Sequence, residues 1–132
     1  FLGYVAGRQK LAAILSSADI SLAPGPIETF CLAAMESLAS GTPVVASNRS
    51  TVGEFLLLGS DHPVGAVFDN TALGYAEAIK DVMRLRSRNS DLARQCNQQA
   101  ENFPWSATVS QMLRLHDDSQ KVKKAQHRLR AA

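Results

Sequence analysis

Short apolar runs separated by stretches of helical spacing fill the first two-thirds of the chain, and few folds accept that alternation. Residues 20–23 (ISLA), 43–46 (PVVA) and 66–68 (AVF) offer almost no polar face, as expected of strands that helices cover on both sides. A further run, 2–5 (LGYV), opens the chain. Between the runs, Leu11, Ala12, Ile14 and Leu15 fall at helical spacing, as do Phe30, Leu32, Ala33, Met35, Leu38 and Ala39. Thr29 is expected to cap the second of these helices, and Gly41 to end it in the left-handed conformation. A short helix over 52–57 and a longer one over 71–85, capped by Asp69 or Asn70, complete the pattern. The expected fold is α/β: a partial doubly wound, Rossmann-like parallel sheet with flanking helices. Such sheets bind ligands beyond the carboxyl ends of their strands.

Bulk properties remove several functions. The chain of 132 residues is one domain's worth. A net charge of +2 is too balanced for a nucleic-acid surface. No apolar run approaches the ~18 residues of a membrane span. Two cysteines make no disulfide framework, no Cys/His cluster has zinc spacing, and a reducing, cytoplasmic setting is expected. His62, His116 and His127 are scattered in polar contexts and read as surface residues. The last third changes character. Residues 89–102, with Cys96, read as a polar helix of no special chemistry, and Phe103-Pro104 breaks the chain. A closing helix then carries Val109, Met112, Leu113 and Leu115 on one face, with Trp105 expected to anchor it by packing. Residues 117–132 are polar and basic, a solvated helix or frayed end; contact with a membrane surface is the lesser reading.

The most unusual loop, 23–30 (APGPIETF), follows a strand and opens a helix. Pro24, Gly25 and Pro26 forbid helix there. The helix start presents unpaired N–H groups at about Phe30, Cys31 and Leu32, which with the helix dipole suit a diphosphate. Glu28 and Glu36 bracket that start. Were the stretch between them helical, they would stand roughly 12 Å apart along the axis. A ligand with hydroxyls at both ends and phosphates between would fit, since carboxylates accept from paired hydroxyls. Two glutamates at this spacing say little alone, because the dipole favours the first and the second could simply face water.

The wider text says more. GPIETFCLAAMESLASGTPVVAS closely resembles the donor-binding segment of the retaining glycosyltransferases of group 1 (family 4), which have the GT-B fold. FLGYVAGRQKLAAILSSADISLAP, GAVFDNTALGYAEAI and NFPWSATVSQMLRLH resemble flanking stretches of that family, so the likeness covers residues 1–116. It implies the C-terminal half of a GT-B donor domain binding a nucleotide-diphosphate sugar, with 117–132 as a tail. By resemblance, Glu28 contacts hydroxyls of the transferred sugar and is the catalytic-site carboxylate, positioning the sugar rather than attacking it. Glu36 holds the ribose hydroxyls, and the backbone of Phe30, Cys31 and Leu32, beside Thr29, holds the diphosphate. The base lies near Tyr4 and Val5. Neither metal nor cofactor is implied, and the chain has no Asp-x-Asp motif. GDP-mannose is the first expectation for the donor, with hexosyl transfer to an unassigned acceptor.

There are departures from the family pattern. Many relatives carry glycine where this chain has Cys31, which is expected to be a small packed residue with helical φ. Residues 48–54 (NRSTVGE) replace a Gly-rich turn ending in Pro-Glu; Gly53 takes the proline's place, Glu54 reads as a helix-start residue and Arg49 as solvated. The family's acceptor-binding N-terminal domain and its phosphate-clamping basic residues have no counterpart here, so a fragment inactive alone is expected. In the strand order 3-2-1-4-5-6, residues 2–5 would stand beyond two missing strands and leave an edge open to self-association. Two other readings are a non-catalytic GT-B-like binding module and a fragment of a sugar-nucleotide epimerase.

Overall fold

The computed structural model describes residues 1–57 and 62–130, with side chains up to residue 123. The elements run α1 (Arg8–Ser16), β1 (Ser21–Ala23), α2 (Leu32–Ala39), β2 (Val44–Ser47), α3 (Val52–Leu57), β3 (Gly65–Phe68), α4 (Ala72–Arg88), α5 (Leu92–Glu101) and α6 (Trp105–Arg130). Residues 1–102 form one compact unit, and the chain from Phe103 onward forms a second.

The first unit is a three-stranded sheet in the order β1-β2-β3, parallel throughout. Its register pairs Leu22 with Val45 and Val45 with Ala66, so these three share one face. On that face Val45 and Phe68 pack with Ala78 and Val82 of α4, flanked by Ile20, Ala66, Tyr75 and Ile79. The Phe68 and Tyr75 rings meet at 4.6 Å. The opposite face carries α3, which lies so close that a Cβ at Gly53 would stand 2.8 Å from Val67 Cγ1. Gly65 is needed for the same reason: a side chain there would drive into the Val44 carbonyl and press on Leu56. Helix α5 ties α2 to α3. Asn97 Nδ2 donates to the Leu38 and Ala39 carbonyls at 3.2 and 2.8 Å, satisfying the C-terminus of α2. Gln99 Nε2 donates to Phe55 O at 2.6 Å. Gly41 ends α2 with φ +80, as its position predicts.

Several expectations need correction. Residues 2–5 form no strand; they are irregular, with Phe1, Leu2 and Tyr4 exposed. No described strand lies beside them, and a lone strand has no ladder to satisfy its backbone. The outer edge of β1 is likewise unpaired among the described residues. Helix α4 is capped not by Asp69 or Asn70 but by Thr71, whose Oγ1 accepts from Gly74 N at 3.0 Å. Cys96 is fully buried, with Sγ 4.0 Å from Val64 O, and burial pushes its thiol up to about 12. Leu92, Cys96 and Gln99 form a buried stripe on a helix polar elsewhere. Trp105, the first residue of α6, is 71% exposed. Of the two readings of the tail, the described residues take the solvated helix: α6 continues to Arg130, and residues 117–123 are exposed. Residues 58–61 lie outside the described residues, as does the His127 side chain. No described helix is long and apolar enough to cross a membrane.

Candidate functional site

The loop leaving β1 turns the chain into α2, and the turn differs from its sequence expectation. Helix α2 starts at Leu32, not Phe30, and its N-cap is Cys31 at φ 56 and ψ 79. Thr29 is exposed and caps nothing; its carbonyl accepts from Thr51 Oγ1 at 2.6 Å. Cys31 is the non-glycine residue with positive φ among those described, so the helical φ expected of it is wrong. Glycine is the residue that takes this backbone without a Cβ penalty. Replacing Cys31 by glycine should therefore raise stability by about 0.5–1 kcal/mol, because relief of the left-handed strain exceeds the added unfolded-chain entropy. A urea titration checks this, with an unchanged or lowered midpoint as the contrary result.

The same backbone leaves amides without partners at the start of α2. Ala34 N and Met35 N donate to Cys31 O at 3.0 and 3.3 Å, which starts the helix. The amides of Leu32 and Ala33 have no partner among the described residues. A left-handed residue followed by a right-handed one turns successive N–H groups, here Cys31, Leu32 and Ala33, toward one concavity. The positive end of the α2 dipole adds to it. The amides without a partner include those of Leu32 and Ala33, whereas the sequence places such amides at about Phe30, Cys31 and Leu32.

Phe30 instead packs toward α3, its ring 5.7 Å from that of Phe55. Glu28 is half-buried and folds back over Gly25: a Cβ at Gly25 would stand 3.0 Å from Glu28 Oε1 and 3.1 Å from its Cγ. Glycine at 25 therefore leaves room for the carboxylate. Glu36 is exposed, while Ala34, Met35, Ser37 and Leu38 of the same helix are buried. Of the stretch from Glu28 to Glu36 only residues 32–36 are helical, so Glu36 rises about 6 Å from the start of α2, and the single-axis separation of roughly 12 Å does not apply. Neither carboxylate is engaged by a hydrogen bond or ion pair among the described residues. Glu28, Cys31 and Leu32 lie on the segment that leaves the carboxyl end of β1 and enters α2, with Glu36 about one turn further along that helix. Tyr4 lies in the irregular opening segment with its side chain 94% exposed, beside a half-buried Val5.

A polar network escaped the sequence reading. Ser47 Oγ donates to Asn70 Oδ1 at 2.9 Å and accepts from Arg49 N at 3.2 Å, and Asn70 Nδ2 donates to Asn48 Oδ1 at 3.2 Å. These bonds join the carboxyl ends of β2 and β3. Thr51 Oγ1 continues them to Glu28 O at 2.8 Å. Beyond the strand ends on the α4 side lies a cleft of about 250 Å³ lined by Pro24, Phe68, Asn70, Thr71, Ala72 and Tyr75. No group of three or more His, Cys, Asp or Glu able to hold a metal ion occurs among the described residues.

Comparison with known proteins now gives this geometry a context. Residues 1–103 match the family described as "Glycosyl transferases group 1". A Mycobacterium tuberculosis protein named GDP-mannose-dependent alpha-(1-6)-phosphatidylinositol dimannoside mannosyltransferase is 41% identical over 114 residues, which are 86% of this chain and 28% of that protein. A D-inositol 3-phosphate glycosyltransferase of Corynebacterium aurimucosum is 32% identical over 86% of this chain and 27% of its own length. One of the same name from Mycolicibacterium smegmatis is 32% identical over 91% of this chain and 27% of its own. The chain thus spans little more than a quarter of the relatives it matches. No solved structure matches it closely enough to be significant.

Proposed function

Because the chain belongs to the group 1 glycosyltransferases, we propose that it is the donor-binding part of a longer enzyme that transfers a hexosyl group from a nucleotide-diphosphate sugar. The observation supporting this reading is the start of α2, where Cys31 is left-handed and the amides of Leu32 and Ala33 have no partner among the described residues, with the unengaged Glu28 before it and Glu36 after it in the chain. The diphosphate would rest on those amides. Glu28 would accept from hydroxyls of the sugar and Glu36 from those of the ribose. Amides and dipole fixed in advance would stabilise the leaving diphosphate without a metal or other cofactor. Transfer would proceed with retention, the acceptor hydroxyl attacking the anomeric carbon on the face the diphosphate leaves. The acceptor site would come from the rest of the protein.

GDP-mannose is the proposed donor, supported by the relative whose name specifies it. Titration of the full-length protein with GDP-mannose and UDP-glucose tests this. GDP-mannose should bind more tightly, and Glu36→Ala should weaken it about 10-fold or more, as expected when a carboxylate loses hydrogen bonds to two hydroxyls. Equal affinity of Glu36→Ala and wild type would remove Glu36 from the ribose site.

A further inference from the structure

We propose that Thr51 is a positioning residue for the donor site, holding Glu28 and the approach to α2 in the orientation that transfer requires. This rests on the donor-site reading above. Thr51 stands 23 residues beyond Glu28, at the start of α3. Its Oγ1 lies 2.8 Å from Glu28 O and 2.6 Å from Thr29 O. One hydroxyl has one hydrogen, so the two successive carbonyls share it, and Thr51 N adds a donor to Glu28 O at 3.3 Å.

Two consequences follow from peptide geometry. In a trans peptide the C=O and N–H point in opposite directions. With both carbonyls drawn toward Thr51, the N–H groups of Thr29 and Phe30 face the other way. The clamp also fixes the backbone of Glu28, so the half-buried carboxylate over Gly25 starts from a fixed Cα.

The clamp is itself held. Ser50 Oγ accepts from Val52 N at 3.1 Å, and Arg49 N donates to Ser47 Oγ. Ser47 and Asn48 meet Asn70, next to the α4 cap. The backbone of residues 47–51 thus links two sets of hydrogen bonds, one between the end of β2 and Asn70 ahead of α4, the other between Thr51 and the residue proposed to hold the sugar. Val52, which follows Thr51, is fully buried, so the hydroxyl is anchored to the core although Thr51 is exposed.

The test is a double-mutant cycle in the full-length protein, with GDP-mannose as donor. Thr51→Val keeps the shape and removes the hydroxyl; Thr51→Ser keeps the hydroxyl. Thr51→Val should lower kcat/KM about 10-fold, the scale of a misplaced substrate contact, with most of the loss in kcat. Thr51→Ser should restore activity to within about 3-fold of wild type. In a Glu28→Gln background, Thr51→Val should cost less than about 2-fold, because the group it positions is already lost. An equal cost in both backgrounds, undiminished activity of Thr51→Val, or failure of Thr51→Ser to rescue would overturn the positioning role alone. Should Thr51→Val not fold, Thr51→Ala replaces it; failure of both would mark Thr51 as a residue of the fold and overturn the proposal. Near-normal transfer by Glu28→Gln would overturn the donor-site reading, and the positioning role with it.

Discussion

Full-length protein carrying Glu28→Gln should transfer its sugar about 100-fold or more slowly than wild type, since a lost charge-assisted contact that strengthens in the transition state costs on this scale. The substitution keeps size and one acceptor oxygen and removes the charge. Glu28 has no ion pair to lose among the described residues, so thermal stability should stay close to wild type. Affinity for the nucleoside diphosphate alone should hardly change, because the amides of residues 31–33 and Glu36 are untouched. A steady-state assay with GDP-mannose, paired with a binding titration of GDP, separates these effects. Retained turnover would exclude Glu28 from contact with the sugar. Weakened GDP binding would instead place Glu28 nearer the phosphates than proposed.

The second large effect concerns stability. Leu38 is fully buried on α2, beneath the end gripped by Asn97. Leu38→Ala should lower unfolding free energy by about 3 kcal/mol, the transfer cost of the lost carbons plus that of the cavity left behind. Urea unfolding measures it. A loss below about 1 kcal/mol would mean that the site collapses freely, which close packing of α2 against α5 opposes.

Most of the framework was legible because it rests on local patterns. The apolar runs at 20–23, 43–46 and 66–68 overlap β1, β2 and β3, and the helical spacing between them locates α1, α2 and α4. What escaped depends on distant partners. Thr51 looked like one more polar residue in a turn, because the carbonyls it holds lie 22 and 23 residues away. The reading of 89–102 as a polar helix hid the buried stripe of Leu92, Cys96 and Gln99, because α5 is polar on average. The start of α2 was set two residues early because helical propensity does not register a left-handed residue at Cys31. Residues 2–5 have strand-like composition, but a strand needs a neighbour, and composition cannot supply one.

The side-chain amide of Asn97 has a consequence for α2 as a mechanical part. By occupying the carbonyls of Leu38 and Ala39 it stops the helix from sliding along its axis, while the bend at Cys31 fixes the other end. An anion arriving at the front would meet a socket that is already shaped. Little of its contact energy would then go into ordering the protein.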